Sequence, residues 1–231
     1  TPLALLAGLL CDKFMWQAVE EQLSDVAEVQ IFSFAGLNSF SAMADKVLAA
    51  MPENFSLVGH SMGGRVALEV YRKAPNRIER IALMNTGVHP LRDSEIPGRQ
   101  KLLDLADKEG MEALVEAWLP PMMSEKALQD SSQFAALKNM VLRHSVKDFQ
   151  GQINALLTRP NGEEVLPMIS VPTLLMSGSE DKWSPVSQHQ EMQTLLRQSK
   201  LVELEGVGHM STVEAPEKIS NELKLWLRES R

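Results

Sequence analysis

A serine held between glycines, Gly59-His60-Ser61-Met62-Gly63, constrains this chain more than any other stretch, because the residues on its two sides ask for opposite backbone forms. Phe55-Ser56-Leu57-Val58 before it reads as a short apolar strand, and Gly64 to Tyr71 after it reads as a helix opening on small residues. A chain that passes from strand to helix within about one residue must turn sharply, and the residue at the apex is strained and presented outward. The flanking positions then have to be glycine or nearly so, since a Cβ there strikes the adjoining strand or helix. At average glycine and serine usage of about 7%, chance alone supplies Gly-x-Ser-x-Gly about 0.08 times in a chain of this length, so its setting and partners must carry the assignment. The competing readings are a plain connecting turn and a phosphate cradle. A phosphate loop needs Gly-x-x-x-x-Gly-Lys-Ser/Thr and a dinucleotide site needs Gly-x-Gly-x-x-Gly, and the stretch contains neither.

A strand entering a helix at its carboxyl end is the unit of a parallel sheet, and the rest of the chain repeats it. Leu3 to Ala7 reads as a strand followed by a helix over 12–24, and Val29 to Phe34 as a strand followed by a helix over 39–50. The elbow helix ends near Ala74-Pro75, and Ile78 to Thr86 is a strong strand. The alternation then stops. From 89 to 167 only helix-like stretches occur, over 99–109, 111–119, 124–144 and 146–159, with Ser124 and Ser145 placed as N-caps. Strands resume over 172–177 and 200–205, each followed by a helix. The expected organisation is a core domain of residues 1–88 and 168–231 carrying a helical cap, or lid, over 89–167. No internal repeat or low-complexity tract stands out.

Composition limits the partners. The 231 residues, 44% hydrophobic and 23% charged, suit one globular domain with a large insertion. A net charge of −7, without basic clustering, argues against nucleic acid and against an anionic membrane surface. Cys11 is the single cysteine, so a disulfide framework is excluded and a reducing, cytoplasmic setting is expected. No apolar run reaches the roughly 18 residues of a membrane span, and Thr1 to Leu10 reads as a strand rather than a signal peptide. Neither His-x-His nor His-Glu-x-x-His occurs, so no metal is expected, and no cofactor.

A serine is too weak a nucleophile at its own pKa. It needs a base, and the base needs a group that orients it and stabilises its cation. His209, in Gly206-Val207-Gly208-His209, directly follows the last expected strand, and Asp181, in Gly178-Ser179-Glu180-Asp181, directly follows the one before. Ser61, Asp181 and His209 therefore each fall just past the carboxyl end of a strand, the edge at which ligands gather in open α/β sheets. Glu180 competes with Asp181 for the acid. His60 is expected to pack or hydrogen-bond beneath the nucleophile, and His89, His144 and His189 to be surface or lid residues.

With these motifs the chain resembles the α/β-hydrolase superfamily across essentially its whole length. The resemblance implies a sheet of about six parallel strands covered by helices on both faces, with an inserted helical lid. Carried over by position, the oxyanion donors are the backbone N–H groups of Leu9 and Met62. Ala7 of Ala7-Gly8-Leu9-Leu10 departs from the family's usual histidine, and where family members often begin with a β-hairpin, the sequence as given is expected to start on the strand itself. The chain is similar to the small bacterial carboxylesterases and enol-lactone hydrolases with a helical cap, which implies two-step acyl transfer on an ester, thioester or lactone. Trp183, Met62, Met210, Trp118, Met122 and Met123, with Met111 and Met140, supply flexible apolar side chains for a hydrophobic acyl pocket, or simply pack lid onto core. The oligomeric state is expected to be monomer or homodimer.

Two rival readings accompany this one. Ser61-Met62-Gly63-Gly64-Arg65 is similar to the menaquinone-pathway lyase of the same fold, which eliminates pyruvate with the same triad and holds an anionic substrate by an arginine at this spacing. A solvated helix arginine is the plainer reading of Arg65. A guanidinium turned into the pocket, with Arg143 or Arg159 converging on it, favours an anionic substrate. The other rival is a non-catalytic binding protein of the same fold, which usually lacks a triad member.

Overall fold

The computed structural model describes residues 1–229. Its elements follow in chain order as β1 (Pro2–Leu6), α1 (Gln17–Leu23), β2 (Glu28–Phe32), α2 (Phe40–Ala50), β3 (Phe55–His60), α3 (Met62–Lys73) and β4 (Ile78–Met84). There follow α4 (Ile96–Trp118), α5 (Glu125–Gln129), α6 (Ser131–Leu142) and α7 (Val146–Leu157), then β5 (Thr173–Gly178), α8 (Val186–Leu195), β6 (Ser199–Leu204), α9 (Ser211–Glu214) and α10 (Pro216–Arg228).

The six strands form one parallel sheet in the order β2-β1-β3-β4-β5-β6. Sequence composition sorts these positions. Leu3 to Leu6 and all of β3 and β5 are buried, as strands covered on both faces must be, whereas β2 and β6 alternate with exposed polar residues and take the edges. Because β1 sends the chain outward to β2 and back to β3, the strand order reverses beside β1. The carboxyl ends of β1 and β3 therefore open a crevice between them. Helices cover both faces, with α1 packed on α10 and α2 packed on α3.

The segment 85–172 between β4 and β5 holds α4 to α7 and no strand. Ser124 Oγ accepts from Ala127 N–H and starts α5, and Ser145 closes a capping box with Asp148 at the start of α7. The helix expected over 124–144 is two helices. Asp130 accepts from the N–H groups of Ser132 and Gln133, so it caps a new helix instead of continuing the old one. Gly110, at φ 83°, breaks α4 at the boundary the sequence marks between 109 and 111. Ala106, Leu114, Trp118, Phe149 and Ile153 of this segment join the same buried apolar cluster as the sheet residues. Among the described residues no helix is long and apolar enough to cross a membrane.

Candidate active site

The bend after β3 is a consequence of packing. Ser61 stands at φ 55° and ψ −119°, outside the range leucine-like side chains tolerate, and it opens α3. Its N–H donates to Met84 C=O at 2.9 Å, which ties the apex to β4. A Cβ on Gly59 would lie 2.4 Å from Gly63 O, and one on Gly63 would lie 2.2 Å from Leu6 O. Both approaches are closed to any side chain, so the two glycines hold the elbow against β1 and against itself. Strain of this kind persists only where surrounding structure over-determines it.

Three loops bring their residues to that apex. His209 Nε2 lies 2.8 Å from Ser61 Oγ, and His209 Nδ1 lies 2.8 Å from Asp181 Oδ2. The carboxylate accepts at Nδ1–H, which leaves Nε2 as the acceptor for the serine proton. Asp181 is itself saturated: Oδ1 accepts from the N–H groups of Trp183 and Ser184 at 2.8 and 2.9 Å, and Oδ2 from Asn85 Nδ2 at 2.9 Å. Burial opposes its ionisation. The His209 ring and these hydrogen bonds outweigh burial and hold the carboxyl well below the usual carboxylate range. Glu180 points elsewhere, its Oε2 accepting from Glu125 N–H at 2.8 Å.

His60 lies beside the elbow, its Nε2–H donating to His209 C=O at 2.7 Å. Burial, and then the nearby His209, press it down to about 3, so it stays neutral and acts as a brace. His189, on α8, is buried, against the expectation of a surface or lid position, whereas His144, also buried, lies in the helical segment between β4 and β5. His189 accepts from Thr86 N–H and donates to Pro185 C=O, which seats α8 under the β4 exit.

A cavity of about 650 Å³ opens over Ser61, a size suited to a small-molecule substrate. Leu9, Met62, Trp118, Met122, Trp183 and Met210 line it. Met123 is buried but off the cavity wall, because the chain turns extended there at the end of a short 3₁₀ turn. Trp183, about half exposed, forms part of the rim.

One end of the cavity is charged. Arg65 reaches its wall with Arg92, Arg99, His89 and Glu95. Arg65 Nη1 donates to His89 C=O at 3.0 Å, and Arg159 Nε donates to the same oxygen at 3.2 Å. Arg143 goes elsewhere, to Asp12. Glu95 spends its carboxylate on Arg159 and Arg99. Burial raises the cost of ionising Glu95, yet the two guanidinium hydrogen bonds prevail and bring it to about 2. Among the described residues Arg65 forms no ion pair, and burial followed by the repulsion of Arg159 brings it down to about 9. It remains a cation at neutral pH, with the Glu95 and Glu163 charges near enough to favour it but neither in an ion pair with it.

Asn85 and Glu214 escaped the sequence reading. Asn85, in left-handed backbone at φ 47° just past β4, links Asp181 to Ser211, whose Oγ donates to Asn85 Oδ1 at 2.6 Å. Its position past a strand end was the available signal. Glu214 accepts from Gly208 N–H at 2.9 Å and from Ser124 N–H at 3.4 Å, joining the His209 loop to the helical segment. Its burial pushes its carboxyl up. Among the described residues no cluster of His, Cys, Asp and Glu could hold a metal ion.

The chain matches the family described as the Alpha/beta hydrolase family over residues 16–222. It is 27% identical to a Rhizobium rhizogenes protein provisionally named carbamate hydrolase RutD, over 81% of this chain and 74% of that one. It is 25% identical to a Bacillus subtilis protein provisionally named 2-succinyl-6-hydroxy-2,4-cyclohexadiene-1-carboxylate synthase, over 91% of this chain and 84% of that one. Among solved structures, a thermophilic esterase from Thermogutta terrifontis is similar with a TM-score of 0.89 at 26% identity, over 98% of this chain and 89% of that one.

Proposed function

The chain belongs to the Alpha/beta hydrolase family, and from that membership and the geometry at Ser61 we propose that it is a serine hydrolase of carboxylic esters, thioesters or lactones with a hydrophobic acyl part. The observation that carries this reading is the unbroken line from Ser61 Oγ through His209 to Asp181, with 2.8 Å at each step. His209 takes the hydroxyl proton as Ser61 Oγ attacks the acyl carbon, and the carbonyl π electrons move onto oxygen. Asp181 holds the imidazole and stabilises its positive charge. The N–H groups of Leu9 and Met62 receive the oxyanion. On collapse, the bond to the leaving group breaks and His209 protonates that group. Water then gives its proton to His209 and attacks the acyl-enzyme, and the acid leaves as Ser61 regains its proton. Residues 89–167 act as the cap on a core of 1–88 and 168–231, and a cytoplasmic setting fits the lone buried Cys11.

A second reading is favoured by Arg65. Its guanidinium at the cavity wall, outside any ion pair and with Arg159 on the same carbonyl, suits an anionic substrate, and the similar Thermogutta esterase has malate bound, a dicarboxylate. In its lyase form, His209 and Ser61 serve as base and a carboxylate-bearing substrate undergoes elimination. A panel of p-nitrophenyl esters, thioesters and lactones, with neutral and carboxylate-bearing acyl groups, separates these readings. The expected result is acyl turnover that falls by about 10⁴ to 10⁶ in Ser61→Ala. Unchanged turnover in Ser61→Ala ends the serine-hydrolase reading. A wild type that labels at Ser61 with a fluorophosphonate but turns over no acyl substrate transfers the case to elimination. Absence of both labelling and turnover leaves the non-catalytic binding protein.

A further inference from the structure

The turn that carries Leu9 runs against ordinary backbone preference. Cys11 N–H donates to Gly8 C=O at 3.2 Å and closes a four-residue turn. Its third residue, Leu10, stands at φ 55°, a place usually taken by glycine or asparagine. A leucine persists there only if its neighbours hold it. The peptide unit between Leu9 and Leu10 is held at both ends. Leu9 C=O accepts from Cys11 Sγ–H at 3.3 Å, and Leu10 N–H donates to Gln152 Oε1 at 2.8 Å. Burial, and then the Asp12 charge, push the Cys11 thiol up to about 12, so it keeps its proton and remains a donor.

Gln152 arrives from α7, far along the chain in the helical segment, and is wholly buried. Its Nε2 finds no partner among the described residues. A buried amide left half satisfied is costly, and a leucine or methionine of similar volume avoids that cost. What the amide provides and an apolar residue lacks is an acceptor aimed at Leu10 N–H. That N–H belongs to the peptide unit whose orientation distinguishes this turn from one with a right-handed third residue.

We propose that Gln152 is a positioning residue: by accepting the Leu10 N–H it keeps the Gly8–Cys11 turn in its left-handed form, with the Leu9 amide at the cavity wall beside Ser61. The helical insertion is then a working part of the oxyanion site, in addition to covering the pocket. The inference rests on the reading of Ser61 as nucleophile and Leu9 N–H as oxyanion donor. Without the acceptor, Leu10 N–H is buried and unpaired, and the turn gains by rotating Leu10 into right-handed backbone, which turns over the Leu9–Leu10 peptide and releases the adjoining Gly8–Leu9 peptide, whose N–H is the oxyanion donor, from its fixed orientation.

The experiment compares wild type with Gln152→Leu and Gln152→Glu on a neutral p-nitrophenyl ester. Rates are normalised to active sites titrated by a fluorophosphonate. Affinity is measured for a boronic acid that adds to serine as a tetrahedral anion, and thermal stability is followed in parallel. In Gln152→Leu the expected result is a fall in kcat of about 10²-fold, the scale of one lost oxyanion donor, with KM within threefold and boronate affinity reduced in step with kcat. Gln152→Glu keeps an oxygen acceptor and is expected to recover at least tenfold of that loss. If Gln152→Leu does not fold, a Gln152→Glu enzyme with near wild-type kcat and boronate affinity supports the proposal, and one as impaired as a lost donor overturns it. A Gln152→Leu enzyme whose kcat per titrated site and boronate affinity match wild type, whatever its melting temperature, also overturns it. Failure of the underlying reading shows separately, as wild-type turnover in Ser61→Ala.

Discussion

The carboxyl edge of the sheet and the helical segment between β4 and β5 meet at one cavity, but they place their residues by different means. At the sheet edge, position follows from backbone. Ser61, Asp181 and His209 each stand a few residues past a strand end, and β3, β5 and β6 are fixed relative to one another through the parallel ladder and its registers. The helical segment has no ladder. It reaches the loops through single long-range bonds: Gln152 to Leu10, Met122 C=O from His209 N–H at 2.7 Å, and Glu125 N–H to Glu180. Chemistry built on a ladder tolerates substitution around it, whereas chemistry braced by isolated bonds depends on each of them.

Substitutions that separate the two regions should differ in kind as well as in size. Asp181→Asn, at the sheet edge, is expected to lower kcat per titrated active site by about 10⁴, because the amide favours the wrong imidazole tautomer, and to lower the melting temperature as well, since a charge held by three N–H donors and His209 is removed. Retained turnover would remove the sheet edge from the chemistry. Glu95→Gln, at the charged junction, leaves the Arg159 side chain fully buried without its counter-charge. The expected loss is about 3 kcal/mol or more of stability, seen as a melting temperature lower by roughly 6–12 °C, with neutral-ester kcat per active site preserved. A collapse of kcat at unchanged stability would reverse the contrast.

The same junction predicts a pH dependence with a definite sign. Glu95 has its folded value near 2, below its ordinary 4.5. Its contribution is therefore complete above about pH 4.5 and is lost as pH falls towards 2. The melting-temperature gap between wild type and Glu95→Gln should narrow across that window on acidification, and a gap constant from pH 6 to 2.5 contradicts the ion pair as its source. The smallest expected effect is that of Ser145→Ala, which removes the capping hydroxyl of α7. About 1 kcal/mol of stability is expected to be lost, and chemical denaturation with activity measured in parallel tests whether Gln152, borne on that helix, loses register with Leu10.

The two regions were also unequally legible in the sequence. The β3 elbow could be read because local rules converge on it: apolar run, paired glycines, small residues opening a helix. Asp181 and His209 could be read because they repeat one positional rule. Asn85 obeys that rule too, but an asparagine carries no proton chemistry of its own to mark it. Arg65 reads as a solvated helix residue, since periodicity alone does not tell which side of α3 meets the cavity. Gln152 left no trace, because a single hydrogen bond between residues 142 apart in sequence has no period, spacing or composition to mark it. The split at Asp130 is hidden in the sequence because the apolar pattern runs on across it and only the aspartate's capping side chain breaks the helix.

The strand order has a consequence for how the molecule assembles in time. The strands β4 and β5 are neighbours in the sheet but are separated by residues 85–172 in the chain. Closing a loop of that length costs roughly 2 kcal/mol more entropy than closing one of about ten residues. The first half of the chain, with Ser61, can zip β1, β2, β3 and β4 through short crossovers, while β5 and β6, followed by Asp181 and His209, dock only after that closure. Recovery of serine reactivity during refolding therefore serves as a clock for the last long-range step, and it is expected to lag behind the signal that reports sheet formation in the first half.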